Sequence, residues 1–282
     1  MKVKENLFKY LFLLCSIFSI FSVLLICLFL FANGLPAIHK IGFADFLFGI
    51  KWKPANNLYG IFPMIAGSLY VTAGALIIGL PVGLMTSVFL SKFCPAWLHK
   101  ILKSAINLLA GIPSVVYGFF ALMIIVPFVR DIFGGNGYSI LSASLLLAMM
   151  ILPTIVSVSE SSLNAVPQNY YEGARALGAS HERSVFSIVV PAAKSGIMAG
   201  VILGIGRAIG ETMAVIMVAG NQVRLPDSIL KGVRTLTANI VIEMGYAADL
   251  HREALIATGV VLFAFILLIN LTFNLVKNRG PV

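Results

Sequence analysis

The sequence predicts an all-α integral membrane protein with six transmembrane helices, and three observations carry the prediction. The 282 residues are 59% hydrophobic and only 11% charged, with a mean hydropathy of +0.99. That is more apolar surface than a soluble domain can cover. The apolar residues fall in runs near or above the roughly 20 residues that a helix needs to cross the hydrocarbon core. Those runs are continuous rather than alternating, which selects helices over barrel strands. The net charge of +9 fits Lys and Arg at membrane edges and an anionic solute better than nucleic acid, because no soluble basic face is visible.

The first span, residues 7–31, contains a charge-free stretch over 10–31. Signal-peptide cores are about 7–15 residues, so this run is expected to be a retained helix. The other five spans are expected over residues 61–90, 104–129, 138–159, 195–219 and 254–276. The second carries Gly67, Gly74, Gly79, Pro81 and Gly83. Two connections, 32–60 and 220–253, are long enough for structure of their own. In the second, Pro226-Asp227-Ser228 is expected to start a helix capped by Asp or Ser. Cys15, Cys27 and Cys94 show no metal-ligand spacing and no disulfide framework, so they read as small packing residues.

Orientation follows from Lys and Arg. With both termini inside, the inner segments carry Lys2, Lys4, Lys9, Lys92, Lys100, Lys103, Arg175, Arg183, Lys194, Lys277 and Arg279. The excess over the outer segments is shallow. The outer loops are basic for their size, which fits attraction of an anion or acidic partner and equally fits ordinary solvated charge.

Between the fourth and fifth spans lies a polar but organised elbow. Pro167 breaks one segment, and residues 168–177 read as a short helix. Gly178 suits its end because glycine takes positive φ without penalty. Ser180 and Arg183 open a second short helix, and Pro191 is expected to end it. Tyr170, Tyr171, Leu177 and Glu172 are expected on its surface. Such a helix–turn–helix on a membrane face serves either to dock a partner or to rest on lipid headgroups.

Glu172-Gly173-Ala174, Gly178, nine further residues and Ile188-Val189-Val190-Pro191 resemble the Glu-Ala-Ala loop of ABC-importer permeases. Gly173 and Val190 depart from the family pattern by small or apolar changes. Three more stretches are similar to phosphate-importer permeases: 110–118, which reads AGIPSVVYG, 206–212, which reads GRAIGET, and 234–240, which reads RTLTANI. The last two resemble the PstC-type permease family of the bacterial phosphate (Pst) importer rather than the PstA type.

The resemblance implies a type I ABC-importer permease fold. Residues 1–60 would form an N-terminal helix and first extracytoplasmic loop. Residues 61–282 would form the five-helix permease core, with a cytoplasmic coupling helix at about 164–190. It also implies docking of an ATPase through Glu172, Gly173, Ala174, Gly178 and Pro191. The implied complex pairs this chain with a PstA-like permease, a PstB-like ATPase dimer and an extracytoplasmic PstS-like phosphate-binding protein in the inner membrane. The chain has no G-x-x-x-x-G-K-[ST] phosphate loop, so ATP and Mg belong to the ATPase, with no cofactor or metal in this chain.

Arg207 and Glu211 lie inside the fifth span, four residues apart, which places them on one face of an unbroken helix. Intramembrane charge is costly and points to a protein interior or a water-filled cavity. The planar Arg fork suits phosphate. Arg207 is therefore the candidate pathway cation, with Glu211 orienting it and limiting its affinity, against an ion pair that only supports packing. The resemblance implies the pathway role. Gly111, Pro113, Ser114 and Gly118 place helix breakers mid-span, fitting a pore wall or hinge and equally a close helix contact.

Three other functions compete. An ion-coupled transporter or channel would need no ATPase, and the elbow argues against it. A membrane enzyme would need a catalytic cluster, whereas His39, His99, His181 and His251 lie in different loops and no triad or paired carboxylates can be read. An importer of another oxyanion, sulfate or molybdate, is not separated by Arg207 alone.

Overall fold

In the computed structural model, residues 2–278 are described. Arg279 lies outside that range, and the side chains of Lys2, Lys4 and Lys277 are likewise outside the described set. The chain is helical almost throughout. Five helices are long and apolar enough to cross a membrane, and a sixth span forms if one bent pair is counted together.

Helix α1 (Lys2–Ile41) runs ten residues beyond the expected span. Apolar run length set the expected end, but Ala37 and Ile38 continue as a buried face and pack on Phe46, Ala254 and Leu255. A short helix α2 (Phe43–Phe48) and a two-stranded hairpin, β1 (Trp52–Lys53) and β2 (Leu58–Tyr59), follow. The strands pair antiparallel, Trp52 opposite Tyr59, around Asn57 in the left-handed region (φ 55°). The 32–60 connection is thus built, and we call this the hairpin end of the bundle.

Helix α3 (Phe62–Val88) closes in a π-turn at Phe89–Phe93. Gly74, Gly79 and Gly83 face helix α7 (Ile140–Asn164): an added Cβ would collide with Ser144 at Gly74 and meet Ile155 at Gly83, whereas Gly67 lies against the Arg234 backbone. Small residues let the two backbones approach closely, which is how helices pair where no hydrophobic force separates protein from lipid. Helix α7 is capped by Ser139, whose Oγ accepts from Ser142 N–H at 3.1 Å, and it is the central helix, buried along most of its length.

The expected third span does not form as one helix. Helix α4 (Ala96–Gly111) is amphipathic with no buried residue, and the chain breaks at Ile112–Pro113. The crossing helix starts afterwards, as α5 (Ser114–Phe120), a π-turn at Ala121–Ile125 and α6 (Val126–Phe133). Hydropathy is blind to this break because apolar residues continue through it. Pro113 causes it by forcing Ile112 into an extended conformation (ψ 127°).

The elbow comprises α8 (Gln168–Ala176), α9 (His181–Ser184), a π-turn at Val185–Val189 and α10 (Val190–Ala192). The chain then bends by 68° into α11 (Lys194–Gly210). Pro191 sits inside the first turn of α10, where a missing N–H costs nothing, so it does not end the segment as expected. The fifth span is also broken: α11 stops at Gly210 and α12 (Met213–Val218) resumes after two residues. No helix starts at Ser228. That segment turns, with Leu230 N–H donating to Ser228 Oγ. Helix α13 (Leu236–Met244) begins later, capped by Thr235. Helix α14 (Asp249–Asn278) returns through the bundle beside α1. Among the described residues the three cysteines are free, and Cys15 is exposed on α1 rather than packed.

Candidate functional site

Two helix breaks meet in the bundle. Gly118 of α5 lies against α12, where an added Cβ would stand 2.7 Å from Met217 Sδ and 2.9 Å from Ala214 Cα. The short helices on the far side of each break are therefore in direct backbone contact. Tyr117 is buried, and its hydroxyl donates to Leu109 O across the first break at 2.9 Å. Thr237 of α13 donates to Glu211 O at the second, at 3.3 Å. Gly111, Pro113 and Ser114 thus sit at the junction of two helices, not in the middle of one.

Arg207 is half-buried in the last turn of α11, where the negative end of the helix dipole favours a cation. Added Cβ atoms at Gly206, Gly210 and Gly111 would meet nothing within 4 Å, so the backbone flanking Arg207 is open. Among the described residues Arg207 enters no ion pair and no side-chain hydrogen bond, and its donors remain available.

Glu211 departs from the expected geometry. Because α11 ends at Gly210, Glu211 is extended (ψ 127°), and the helical stacking with Arg207 is lost. Its carboxylate instead accepts from Ala214 N–H at 3.1 Å, capping α12. It shapes the break beside Arg207 rather than pairing with it in this conformation.

The elbow is held from behind and open in front. His181, donating through Nε2 to Lys92 O (3.2 Å), accepts from Tyr171 OH at Nδ1 (2.8 Å). Tyr171 is therefore partly buried and anchors the elbow, contrary to the expectation of an exposed tyrosine. Tyr170 and Leu177 do project, Leu177 at 91% exposure, and Glu172 is exposed. Gly178 follows the end of α8 at φ 85°, and open space surrounds both it and Gly173 within the helix.

Two polar clusters escaped sequence reasoning. Buried Glu160 accepts from His99 Nε2 (2.8 Å) and Lys103 Nζ (2.7 Å). At the hairpin end, Glu243 accepts from Trp52 Nε1 (2.8 Å), His251 Nε2 (2.8 Å) and Arg234. Burial raises the pKa of nearby Tyr59 above the usual phenol value. Three of the four histidines are thus engaged at separate places, and among the described residues no three metal-ligating side chains gather. A cavity of about 340 Å³ between α3, α5, α6 and α7 is lined by apolar residues such as Ile78, Phe120 and Leu145, with no charged group, and is unsuited to an anion.

These features define a class: a multi-pass membrane subunit with an exposed polar elbow and a broken-helix core. Residues 79–279 match the family described as binding-protein-dependent transport system inner membrane component, and the chain belongs to that family. It is a membrane subunit that works with separate ATPase and substrate-binding components, and not itself an ATPase. It is 38% identical over 267 residues to a probable ABC transporter permease protein, YqgH, of Bacillus subtilis, covering 91% of this chain and 86% of that one. It is 34% identical to the phosphate transport system permease protein PstC of Xylella fastidiosa, covering 92% and 86%.

Two solved structures share the fold. A bacterial ABC transporter involved in import of the acidic polysaccharide alginate superposes with a TM-score of 0.67 at 15% identity, covering all of both chains. The inward-facing MetNI methionine ABC transporter gives 0.59 at 21% identity, covering 81% of this chain and 98% of that one. The type I ABC-importer permease fold is thereby established.

Proposed function

We propose that this chain is the PstC-like permease of an ATP-driven phosphate importer, with Arg207 as the cation that phosphate meets on its way. The observation that carries the reading is Arg207 itself: an arginine with spare donors, flanked by open glycine backbone, where two broken helices meet. Broken helices at the centre of a span are where membrane proteins place polar substrates. The similarity to PstC proteins over most of the chain supports phosphate as the anion.

In this reading the elbow faces the cytoplasm, as do both termini, and the hairpin end faces outward in a bacterial inner membrane. The chain pairs with a PstA-like permease, two PstB-like ATPases that use ATP and Mg, and a PstS-like phosphate-binding protein. Residues 1–60 are an N-terminal addition to a permease core over 61–282, in keeping with a family match that begins at residue 79. The projecting Leu177, Tyr170 and Glu172, with Gly173, Ala174, Gly178 and Pro191 shaping the elbow, seat it on the ATPase.

Mechanism follows from this placement. ATP-driven closure of the ATPases displaces the elbow, the helices rock, and the region around Arg207 opens to the loaded binding protein. Phosphate exchanges its hydration for the Arg207 fork. Hydrolysis resets the inward-facing state. Glu211 holds α12 by its cap, which keeps the break at Gly210 in register while Gly111, Pro113, Ser114 and Gly118 allow the facing break to adjust.

Proteoliposomes holding the full complex test the reading. Phosphate uptake is expected to require ATP, the ATPase and the binding protein together, and to be competed poorly by sulfate and molybdate. Uptake without ATP would replace this reading with an ion-coupled transporter, and preferential sulfate or molybdate uptake would replace the substrate.

A further inference from the structure

We infer that Glu160 is a positioning residue that locks helix α4 to the end of α7, so that movement of the elbow is delivered to the break beside Arg207. The inference rests on the transport reading above and adds the mechanical link that the reading requires.

Glu160 is 3% exposed, within the last turns of a helix that carries no other charged residue. A carboxylate there is costly unless paired. Its two partners, His99 and Lys103, both lie on α4, one turn apart on one face. No residue of α4 is fully buried; one face, Leu98, Leu102 and Ile106 together with His99 and Lys103, is half-buried, so apolar packing holds it only shallowly. Two polar attachments add to that hold. One is the Glu160 node. The other is at its far end, where Leu109 O accepts from Tyr117 OH. A helix of 16 residues, about 24 Å long, is thus held near its start and at its end, with the Gly111–Pro113 break at the second, followed by α5, whose Gly118 lies against α12.

The first end is tied to the elbow. Four residues after Glu160, α7 finishes at Asn164, whose Oδ1 accepts from Ser91 Oγ at 2.6 Å. Helix α8 starts at Gln168. His181 of the elbow donates to Lys92 O, in the same π-turn as Ser91, and packs edge-on against Phe93 at 4.7 Å between ring centroids. The elbow, the end of α3 and the end of α7 are therefore one connected block. Helix α4 is the element that leaves this block and ends at the break, and Glu160 is where it is fastened.

The test uses the complete complex in proteoliposomes and reads phosphate moved per ATP hydrolysed. Glu160→Gln keeps the shape and removes the charge. The ratio is expected to fall roughly tenfold while hydrolysis continues, and Glu160→Asp is expected to recover part of it. A spin-label pair at Lys100→Cys on α4 and Arg175→Cys on α8, with Cys15, Cys27 and Cys94 replaced by Ser, reads the link itself. One narrow distance is expected through the ATP cycle with Glu160 present, and a broad distribution with Glu160→Gln. If Glu160→Gln does not assemble, the double variant His99→Gln/Lys103→Gln, at two partly exposed positions, is read in the same way. A wild-type ratio together with an unchanged distance distribution in either variant overturns the inference and leaves the transport reading intact. Failure of the transport reading shows separately, as an unsubstituted complex that moves phosphate without ATP or hydrolyses ATP without moving phosphate. The label distances then decide the link on their own.

Discussion

Arg207 and Arg234 lie in one chain in opposite circumstances. Arg234 is 14% exposed, paired with Glu243, and donates also to Asn239 Oδ1 (3.1 Å) and Asn221 O (3.2 Å). Glu243 is in turn bonded to Trp52 and His251, so one node joins the hairpin, α13 and α14. Arg207 is half-buried beside a broken helix with no such partner among the described residues. A satisfied arginine holds structure. An arginine with idle donors in an apolar bundle is a cost that structure alone does not recover, and the proposed passing anion would account for it. The contrast between the two supports the proposed division, with stability at the hairpin end and transport at the breaks.

The sharpest way to break this division is at Arg234. Arg234→Ala leaves Glu243 buried with a lost cation and is expected to destabilise the chain by about 3–5 kcal/mol, seen as lower abundance and a lower melting temperature in detergent. Complexes that do assemble are expected to keep their uptake rate. A stable complex with lost uptake would move Arg234 into the pathway. Next comes the contact that carries α7. Gly74→Leu forces a side chain into Ser144 and is expected to cost about 1–3 kcal/mol, measured by the same melts. Tyr117→Phe removes the bond across the first break and is expected to cost about 1 kcal/mol, with uptake reduced as the break loosens.

The smallest effect on stability is expected at the elbow tip. Leu177→Asp touches nothing in this chain and should shift stability by less than about 0.5 kcal/mol. It is nonetheless expected to abolish co-purification with the ATPase, which separates a docking surface from a lipid-resting one. Retained co-purification would favour the membrane-surface alternative.

Much of this architecture is legible in the sequence, and the part that is not has identifiable causes. Hydropathy locates the spans because membrane burial is a property of consecutive residues. Gly178 and Ser180 announce the elbow because caps and turns are local chemistry. A spacing of four brings Arg207 and Glu211 together only on an unbroken helix, and α11 ends between them at Gly210. The expected third span starts too early because the mostly apolar residues 105–112 run without a polar gap into the apolar residues after Pro113, and hydropathy does not register the break between them. Partners of Glu160 lie 57 and 61 residues away, and Trp52 is 191 residues from Glu243. No local pattern encodes such pairs. Glu160 falls one residue past the expected fourth span, where a charge reads as the start of a polar connection, and it is buried because α7 runs on to Asn164.

The most direct test of the division between the two arginines is phosphate uptake by Arg207→Gln and Arg234→Gln complexes, each normalised to the amount assembled. Arg207→Gln is expected to assemble at normal abundance, hydrolyse ATP and lose uptake by roughly 100-fold or more, while Arg234→Gln assembles poorly and transports normally per complex. Undiminished uptake through Arg207→Gln would contradict the account.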